Sequence, residues 1–579
     1  MSSRTGDDGP VDSRSGLLVR PARALRPVAD HSYLIECADL ADAVAVHAAL
    51  IEQGYRGVGG ATTVLVRSAE RTRLEAALTR IPRGSLAGQP GREISVDVVY
   101  DGEDLHELAE TLGLSADGLI AWHTAAPWTA AFAGFAPGFL YCARTFEAGA
   151  AGAGSSETPE LPEALVGVSQ IPRRSTPRTA VPAGSVALAG QFSAVYPRSS
   201  PGGWQLIGRT ATPMVDLRQD PPALLAPGDR IAYRPVREAV ELRPDDEDTG
   251  DLEQDGLEAP PDPAHHLVLE TAGLQSLIQD RGRPGRASAG ISSSGAADRA
   301  ASARAAHLVG NAPAAAGLEC LLGGVVLRAV GDQVLAVTGA ETDLEIAAED
   351  VGESGSAWRP RMDLPFALRD GEHLRIGAPS SGLRVYVAVR GGVEAPAVLG
   401  SRASDTLAGL GPRQLVDGDA LAVGADPGTA VDWPLEIAGA SAPGVSARND
   451  DEPLPVRVVL GPRQDWFTAA SVASFLAQSW TVSGTSDRVG VRLEGEALGR
   501  SEDRELPSEG TVPGSIQVPA SGLPVVFLRD HPVTGGYPVI ATVVAADLDL
   551  LAQAAPATAL RFVAMDSDGR PEDPSRSTS

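Results

Sequence analysis

A carboxylate and an imidazole stand side by side at Asp530-His531, and Thr534-Gly535-Gly536-Tyr537 begins three residues later. That neighbourhood is a candidate proton-transfer site, because imidazole titrates near neutrality. The glycine turn beside it either needs positive φ or lets backbone amides approach a substrate carboxylate or oxyanion. In the other half of the chain His123 follows Ile120-Ala121-Trp122 at a helix end, where it is either a hydrogen-bonded core group or a general base. Arg173 and Arg178, five apart in a Pro-rich segment, suit a planar carboxylate ligand, with salt bridges inside an acidic protein as the alternative. Gln517 is a candidate reader of an amide group. Asp280-Arg281, Asp298-Arg299 and Asp487-Arg488 read as internal ion pairs that hold loops.

Two stretches in different halves repeat one pattern. Val181-Pro182-Ala183-Gly184-Ser185-Val186 leads to Gly202-Gly203-Trp204, 17 residues past Ser185. Val512-Pro513-Gly514-Ser515-Ile516 leads to Gly535-Gly536-Tyr537, 20 residues past Ser515. A repeat of this kind marks one β-rich domain type present twice, so Ser185, Gly202, Gly203, Trp204, Ser515, Thr534, Gly535, Gly536 and Tyr537 are candidate substrate-binding positions. Trp204 and Tyr537 serve either as packing or as a pocket wall.

Composition excludes much else. All 48 basic residues are arginine, since the sequence contains no lysine. A phosphate-loop lysine, a Schiff-base lysine and a biotinyl or lipoyl lysine are thereby ruled out, and a partner chain must supply any such function. The 75 acidic residues bring the net charge to −27, which argues against a nucleic-acid or acidic-membrane surface. Cys37, Cys142 and Cys320 are too few and too far apart for a disulfide framework, and they fit a reducing, cytoplasmic compartment. No apolar run reaches the ~18 residues of a membrane span. Scattered histidines give no metal site, Gly-Val-Gly-Gly at 57–60 lacks a dinucleotide-binding context, and Gly184-Ser185 is no nucleophile elbow.

The elements that must position these residues follow from periodicity. Strand 32–37, the alanine-rich helix 40–53, strand 62–66, helix 70–80 and strand 93–100 form a small α/β unit. Helices 102–113 and 116–124 then lead into a β-rich region ending near Val236. Residues 241–263 are acidic and Pro-rich, a linker by composition. Beyond it, short apolar runs alternate with Gly/Asp turns around the helix 298–309, as in sandwiches or barrels. The expected organisation is a disordered tail at 1–25, a cap at 26–105, a barrel at 106–240, the linker at 241–263, β-rich domains at 264–445 and 446–565, and a disordered tail at 566–579.

Ordered motifs then match a family. Phe135-Ala136-Pro137-Gly138-Phe139-Leu140-Tyr141, Pro172-Arg173 with Pro177-Arg178, the turn at 181–186, Tyr196-Pro197 and residues 200–210 resemble the B subunit of prokaryotic 5-oxoprolinase. Gln279-Asp280-Arg281-Gly282-Arg283-Pro284-Gly285, Gly295-Ala296-Ala297-Asp298-Arg299, Val309-Gly310-Asn311, Leu399-Gly400-Ser401-Arg402, Ser486-Asp487-Arg488-Val489-Gly490 and Thr534-Gly535-Gly536-Tyr537-Pro538 resemble its C subunit. The family also holds the Kip-type kinase inhibitor and antagonist, and the carboxyltransferase part of urea carboxylase. The resemblance implies a mainly β fold with α+β parts: cyclophilin-like β-barrels in at least two related copies, with a small N-terminal α/β cap, as a natural B–C fusion. It implies ATP-dependent hydrolysis of the cyclic amide 5-oxo-L-proline to glutamate, with ATP bound by a separate A-type subunit without which the chain is inactive. Its alternatives are a carboxyltransferase for urea or a related amide, with biotin carried on another chain, and a Kip-like regulator that grips a histidine kinase. The partners so implied are the A-type subunit and a small amide substrate, without nucleic acid or membrane; self-association as a homo-oligomer is left open.

Overall fold

The computed structural model describes residues 23–82, 91–144, 171–237, 264–348, 358–431, 452–502 and 504–566. The linker 241–263 lies outside these residues, as do the two expected tails apart from residues 23–25 and Asp566. Among the described residues the chain is mostly β, with seven α-helices.

The cap forms because an amphipathic helix has a sheet to cover. Asp39 caps the helix Leu40–Glu52 by accepting the Asp42 N–H at 2.8 Å, which satisfies one of the first-turn donors. Ala43, Val46, His47 and Leu50 fall on one face and are buried. They pack on an antiparallel sheet whose spatial order is Leu25–Val28, Ser32–Glu36, Thr63–Arg67, Arg56–Gly59. The strand Glu93–Val98, grouped with the cap by its place in the sequence, departs from that expectation. It pairs in parallel with Arg230–Pro235, because Val96 and Val98 are buried among Trp128, Ile231 and Tyr233 of the first barrel.

Two barrels share one strand order. In the first, neighbouring strands run Glu93–Val98, Arg230–Pro235, Trp128–Ala133, Leu140–Ala143, Phe192–Val195, Ser185–Ala189, Gln205–Arg209. In the second they run Leu454–Leu460, Ala559–Met565, Trp480–Val482, Gly490–Glu494, Val525–Phe527, Ser515–Gln517, Val539–Val543. The last strand of the second pairs back to its first and closes the barrel, whereas the first is brought nearly closed by a single bridge from Val99 to Arg209. The repeated Gly-Ser turns occupy equivalent places. Gly184 and Gly514 have φ of 78° and 90°, and their N–H groups donate to Tyr196 O and Phe527 O, each at 2.7 Å. A Cβ there would lie 2.3 Å from Thr210 O or 2.8 Å from Val543 O, so only glycine fits.

Between the barrels in sequence lies a sandwich of a six-stranded and a five-stranded sheet. Its core is aliphatic, with Leu267, Leu327, Leu335, Leu374, Val385 and Val387 at its centre. The helix Arg299–Leu308, capped by Asp298 through the Ala301 N–H at 2.8 Å, packs on its outside through Ala301, Ala305 and Leu308.

Candidate functional site

Each barrel carries a two-stranded ribbon that ends in the glycine pair. Arg178–Val181 pairs with Ser200–Gly202, and Glu509–Gly510 with Thr534–Gly535. The glycines permit close approach: a Cβ on Gly202 would fall 2.2 Å from Tyr196 Oη, and one on Gly535 2.3 Å from Gln517 Nε2. The aromatic that follows differs between copies. Trp204 is buried, edge-on to Phe139 and Tyr141, and so is packing; Tyr537 is 49% exposed. Gln517 Nε2 donates to Tyr537 O at 3.1 Å and holds its own loop. Ser515 Oγ accepts the Val512 N–H at 3.1 Å, and Ser185 is buried in its strand. Gly203 O accepts the Arg174 N–H at 2.9 Å, while Gly536 follows Gly535 at the ribbon tip. Thr534 Oγ1 donates to Ala133 O at 3.2 Å, which docks the second ribbon on the first barrel.

Of the two arginines expected to hold a ligand carboxylate, Arg178 holds an internal one, joined there by Arg174. Asp104 Oδ1 accepts Arg178 Nη2 at 2.8 Å and Arg174 Nη1 at 2.5 Å, while Asp104 Oδ2 accepts the Leu206 N–H at 2.7 Å. Burial works against its charge, but Arg178, the Leu206 amide and Arg174 hold its carboxyl below the ordinary range. Arg173, by contrast, is exposed. The Arg173-Arg174 doublet gave no sign of which member turns inward.

The second barrel builds the same anchor with its charges exchanged. Asp104 N–H donates to Leu206 O at 3.0 Å, and Arg463 N–H donates to the equivalent Val539 O at 2.9 Å. Arg463 therefore stands where Asp104 stands. Its partner is Glu509, with Nε to Oε1 at 3.1 Å, and Glu509 lies opposite Gly535 as Arg178 lies opposite Gly202. Arg463 also reaches Glu36 of the cap at 2.7 Å.

His123 belongs to the first barrel's core. It is fully buried, its Nδ1 2.7 Å from Tyr100 Oη and its Nε2 2.9 Å from Ser193 Oγ, and it stacks on Tyr233 at 4.3 Å. The second barrel explains this placement. Trp128 Nε1 donates to His123 O and Trp480 Nε1 to Phe475 O, while Phe475 stacks on Phe562 at 4.5 Å. His123 thus fills the seat of a core phenylalanine, and it is out of reach of any substrate as a base. Burial, with a lesser contribution from Arg144, pushes its pKa down to about 3. The unfolded chain binds this proton below the ordinary histidine value of about 6.5, so this contribution to stability is present at neutral pH and lost as the pH falls below about 6.5. In His123→Leu, the fall in unfolding free energy from urea titrations between pH 6.5 and 4 should be shallower by up to one proton's linkage, about 1.4 kcal/mol per pH unit. Equal pH slopes in the two proteins would refute the assignment.

Asp530 and His531 diverge although adjacent. Asp530 is fully buried and accepts Arg488 Nε at 2.9 Å, Ser294 Oγ at 2.6 Å, and Thr406 N–H and Oγ1 at 2.9 and 2.8 Å. Burial opposes its charge, yet Arg488 and these donors hold its carboxyl below the ordinary range. Arg488 also pairs with Glu319 and donates to Gly295 O at 2.7 Å, which ties the closed barrel to the sandwich. Asp530 is therefore the centre of a domain junction. His531 is 3% exposed, lies edge-on to Phe527, and neither of its ring nitrogens has a hydrogen-bond partner. Burial, with Arg67 and Arg529 adding to it and the residue's own backbone and Asp530 opposing it, pushes its pKa down to about 4, so the imidazole is neutral at pH 7, with one ring nitrogen a donor and the other an acceptor. Of the proposed catalytic residues it is the one with free polar atoms.

The sequence-adjacent acid and arginine pairs do not pair with each other. Asp280 accepts the Ser401 hydroxyl and the Arg402 N–H, each at 2.7 Å; Asp298 caps its helix; Asp487 accepts the Val489 and Gly490 N–H groups. Burial pushes all three cysteine thiols up to about 12, so none is a ready nucleophile. Among the described residues no group of three or more His, Cys, Asp or Glu could hold a metal ion, and no helix is long and apolar enough to cross a membrane.

Paired barrels, each with a ribbon and glycine turn, have counterparts among known proteins. The family described as carboxyltransferase domain, subdomains C and D, matches residues 24–225, and that described as subdomains A and B matches residues 289–564. The chain is 36% identical over 300 residues to the C subunit of 5-oxoprolinase from Escherichia coli strain K12, covering 51% of this chain and 90% of the relative. It is 38% identical over 185 residues to the B subunit of 5-oxoprolinase from Escherichia coli O157:H7, covering 31% of this chain and 75% of the relative. The crystal structure of TTHA0988 superposes with a TM-score of 0.73 at 30% identity, covering 92% of this chain and 99% of that one. The chain belongs to the carboxyltransferase-domain family. Within it, one polypeptide unites parts similar to the B and C subunits of 5-oxoprolinase. Urea amidolyase of Lachancea kluyveri is 29% identical over 322 residues, which span only 17% of that protein.

Proposed function

We propose that the chain is the fused B–C component of an ATP-dependent 5-oxoprolinase, opening 5-oxo-L-proline to L-glutamate together with an A-type subunit. The observation that carries this reading is the similarity to both of these subunits at once, over 90% of one relative and 75% of the other. The chemistry is consistent with it. A lactam carbonyl resists water because its amide is resonance-stabilised, and phosphorylation of the carbonyl oxygen supplies a leaving group. Such a step needs charge stabilisation and a proton acceptor; the arginines that act on His531 are candidates for the first and its neutral imidazole for the second. The absent lysine removes the usual nucleotide-loop cation, which is consistent with ATP binding on the partner.

The purified chain, mixed with an A-type subunit, 5-oxoproline and ATP, should form glutamate, with no turnover when either protein or ATP is left out. Failure of the mixture, together with biotin-dependent carboxylation of urea, would replace this reading by the carboxyltransferase one. Tight capture of a histidine kinase without turnover would replace it by a regulatory one.

A further inference from the structure

Most buried arginines in this acidic chain are matched by carboxylates. Arg488 meets Asp530 and Glu319, Arg463 meets Glu509 and Glu36, and Arg23 meets Asp42. One place breaks the pattern. Where the cap, the sandwich and the closed barrel converge, Arg67 of the cap, Arg299 of the sandwich and Arg529 of the barrel act on one another. Asp549 is the carboxylate that Arg529 and the Arg299 segment share: its Oδ1 accepts Arg529 Nη2 at 3.2 Å and the Arg299 backbone N–H at 3.1 Å. Asp298, nearby, is engaged as the helix cap and by Gln553 Nε2 at 2.8 Å. No carboxylate among the described residues pairs with Arg67, and its cross-strand neighbour is another arginine, Arg56.

Two further observations point to an anion as the complement of this cluster. Arg299 Nε is buried without a partner, and so are both ring nitrogens of His531, a residue only 3% exposed that senses Arg67 and Arg529. Burying unsatisfied donors is costly, and uncompensated like charges add to that cost. Burial first and then the neighbouring guanidinium of Arg529 pull Arg299 down to about 10. An anion seated among these groups would remove the repulsion and accept the free N–H groups.

We infer that Arg67, Arg299, Arg529 and His531 form a site for a doubly charged tetrahedral oxyanion, inorganic phosphate or the phosphoryl end of a larger molecule. Three guanidiniums and two unpartnered imidazole nitrogens face one paired carboxylate, Asp549, and a phosphate dianion offers them more acceptor oxygens than a single carboxylate does. Guanidinium also presents paired donors to phosphate oxygens. Because each of the three modules contributes, the ligand would also fasten them together.

The test uses the chain alone and so stands apart from 5-oxoproline turnover. Titration calorimetry with inorganic phosphate at constant ionic strength should give saturable binding. Arg67→Gln should weaken it by about tenfold, the loss of one charged hydrogen bond, whereas Arg71→Gln, an exposed helix position, should leave it unchanged. If Arg67→Gln fails to fold, Arg299→Gln takes its place. A parallel titration with ATP separates the two sources: displacement of phosphate makes a nucleotide's terminal phosphoryl group the occupant, and no displacement leaves free phosphate or a nucleotide-free phosphoryl compound. Absence of saturable phosphate binding, or equal affinity in wild type and the folded variant, would overturn the proposal.

Discussion

Arg488→Met should destabilise the chain by about 3–5 kcal/mol, the cost of stranding buried carboxylates without their counter-ion. Arg488 is 1% exposed and its two ion-pair partners lie on different domains, Asp530 on the closed barrel and Glu319 on the sandwich. Removing the guanidinium leaves Glu319 with Arg384 at 3.5 Å and Asp530 with neutral donors only. The remedy is informative too: combining Arg488→Met with Asp530→Asn should recover part of the loss, because the double variant buries one charge fewer. Urea unfolding followed by circular dichroism measures both. A midpoint within error of wild type for Arg488→Met would show that water, not the arginine, satisfies these carboxylates.

Gly282→Ala should be nearly as damaging, at about 3 kcal/mol, although it changes one methyl group. Gly282 has φ of 81°, and a Cβ there would lie 2.1 Å from Ser293 O and 2.6 Å from Ser294 O. Both obstacles are backbone, so neither can swing aside. The segment that must yield carries Ser294, which donates to Asp530, and Gly295, whose carbonyl accepts from Arg488. The methyl therefore displaces the same junction from the opposite side. Thermal unfolding of Gly282→Ala beside Gly285→Ala checks this, since Gly285 has a similar φ but open space around its Cβ position. Equal losses in the two variants would mean that φ strain alone, not the clash, sets the cost.

The duplicated barrel was legible because its turns are chemical signatures. Gly184-Ser185 and Gly514-Ser515 make the same turn at equivalent places in the two barrels, and the glycine in each is held there by its positive φ and a backbone carbonyl against its Cβ position. The cap was legible for a similar reason, from the helical spacing of Ala43, Val46, His47 and Leu50. The limits came from partners distant in sequence. Glu93–Val98 looks like a strand of either neighbour, and only its parallel pairing with Arg230–Pro235 decides. Asp487-Arg488 reads as a local ion pair, but the arginine's carboxylates lie 42 and 169 residues away. His123 carries the same residue type as a catalytic base, and its seat among Tyr100, Ser193 and Tyr233 is visible only once the barrel is closed around it.

The exchanged anchor charges bear on how a chain with two like barrels folds at all. Adjacent domains of one topology are prone to trade equivalent segments during folding, and each ribbon here must find the anchor of its own barrel. A ribbon caught by the wrong barrel would bring Arg178 against Arg463, or Glu509 against Asp104. Either encounter buries two like charges where the proper one buries a matched pair. Repulsion of this sort rejects the wrong partner as effectively as attraction selects the right one. The inverted pair thus differs between two otherwise similar seats, and it disfavours an exchange of ribbons between them.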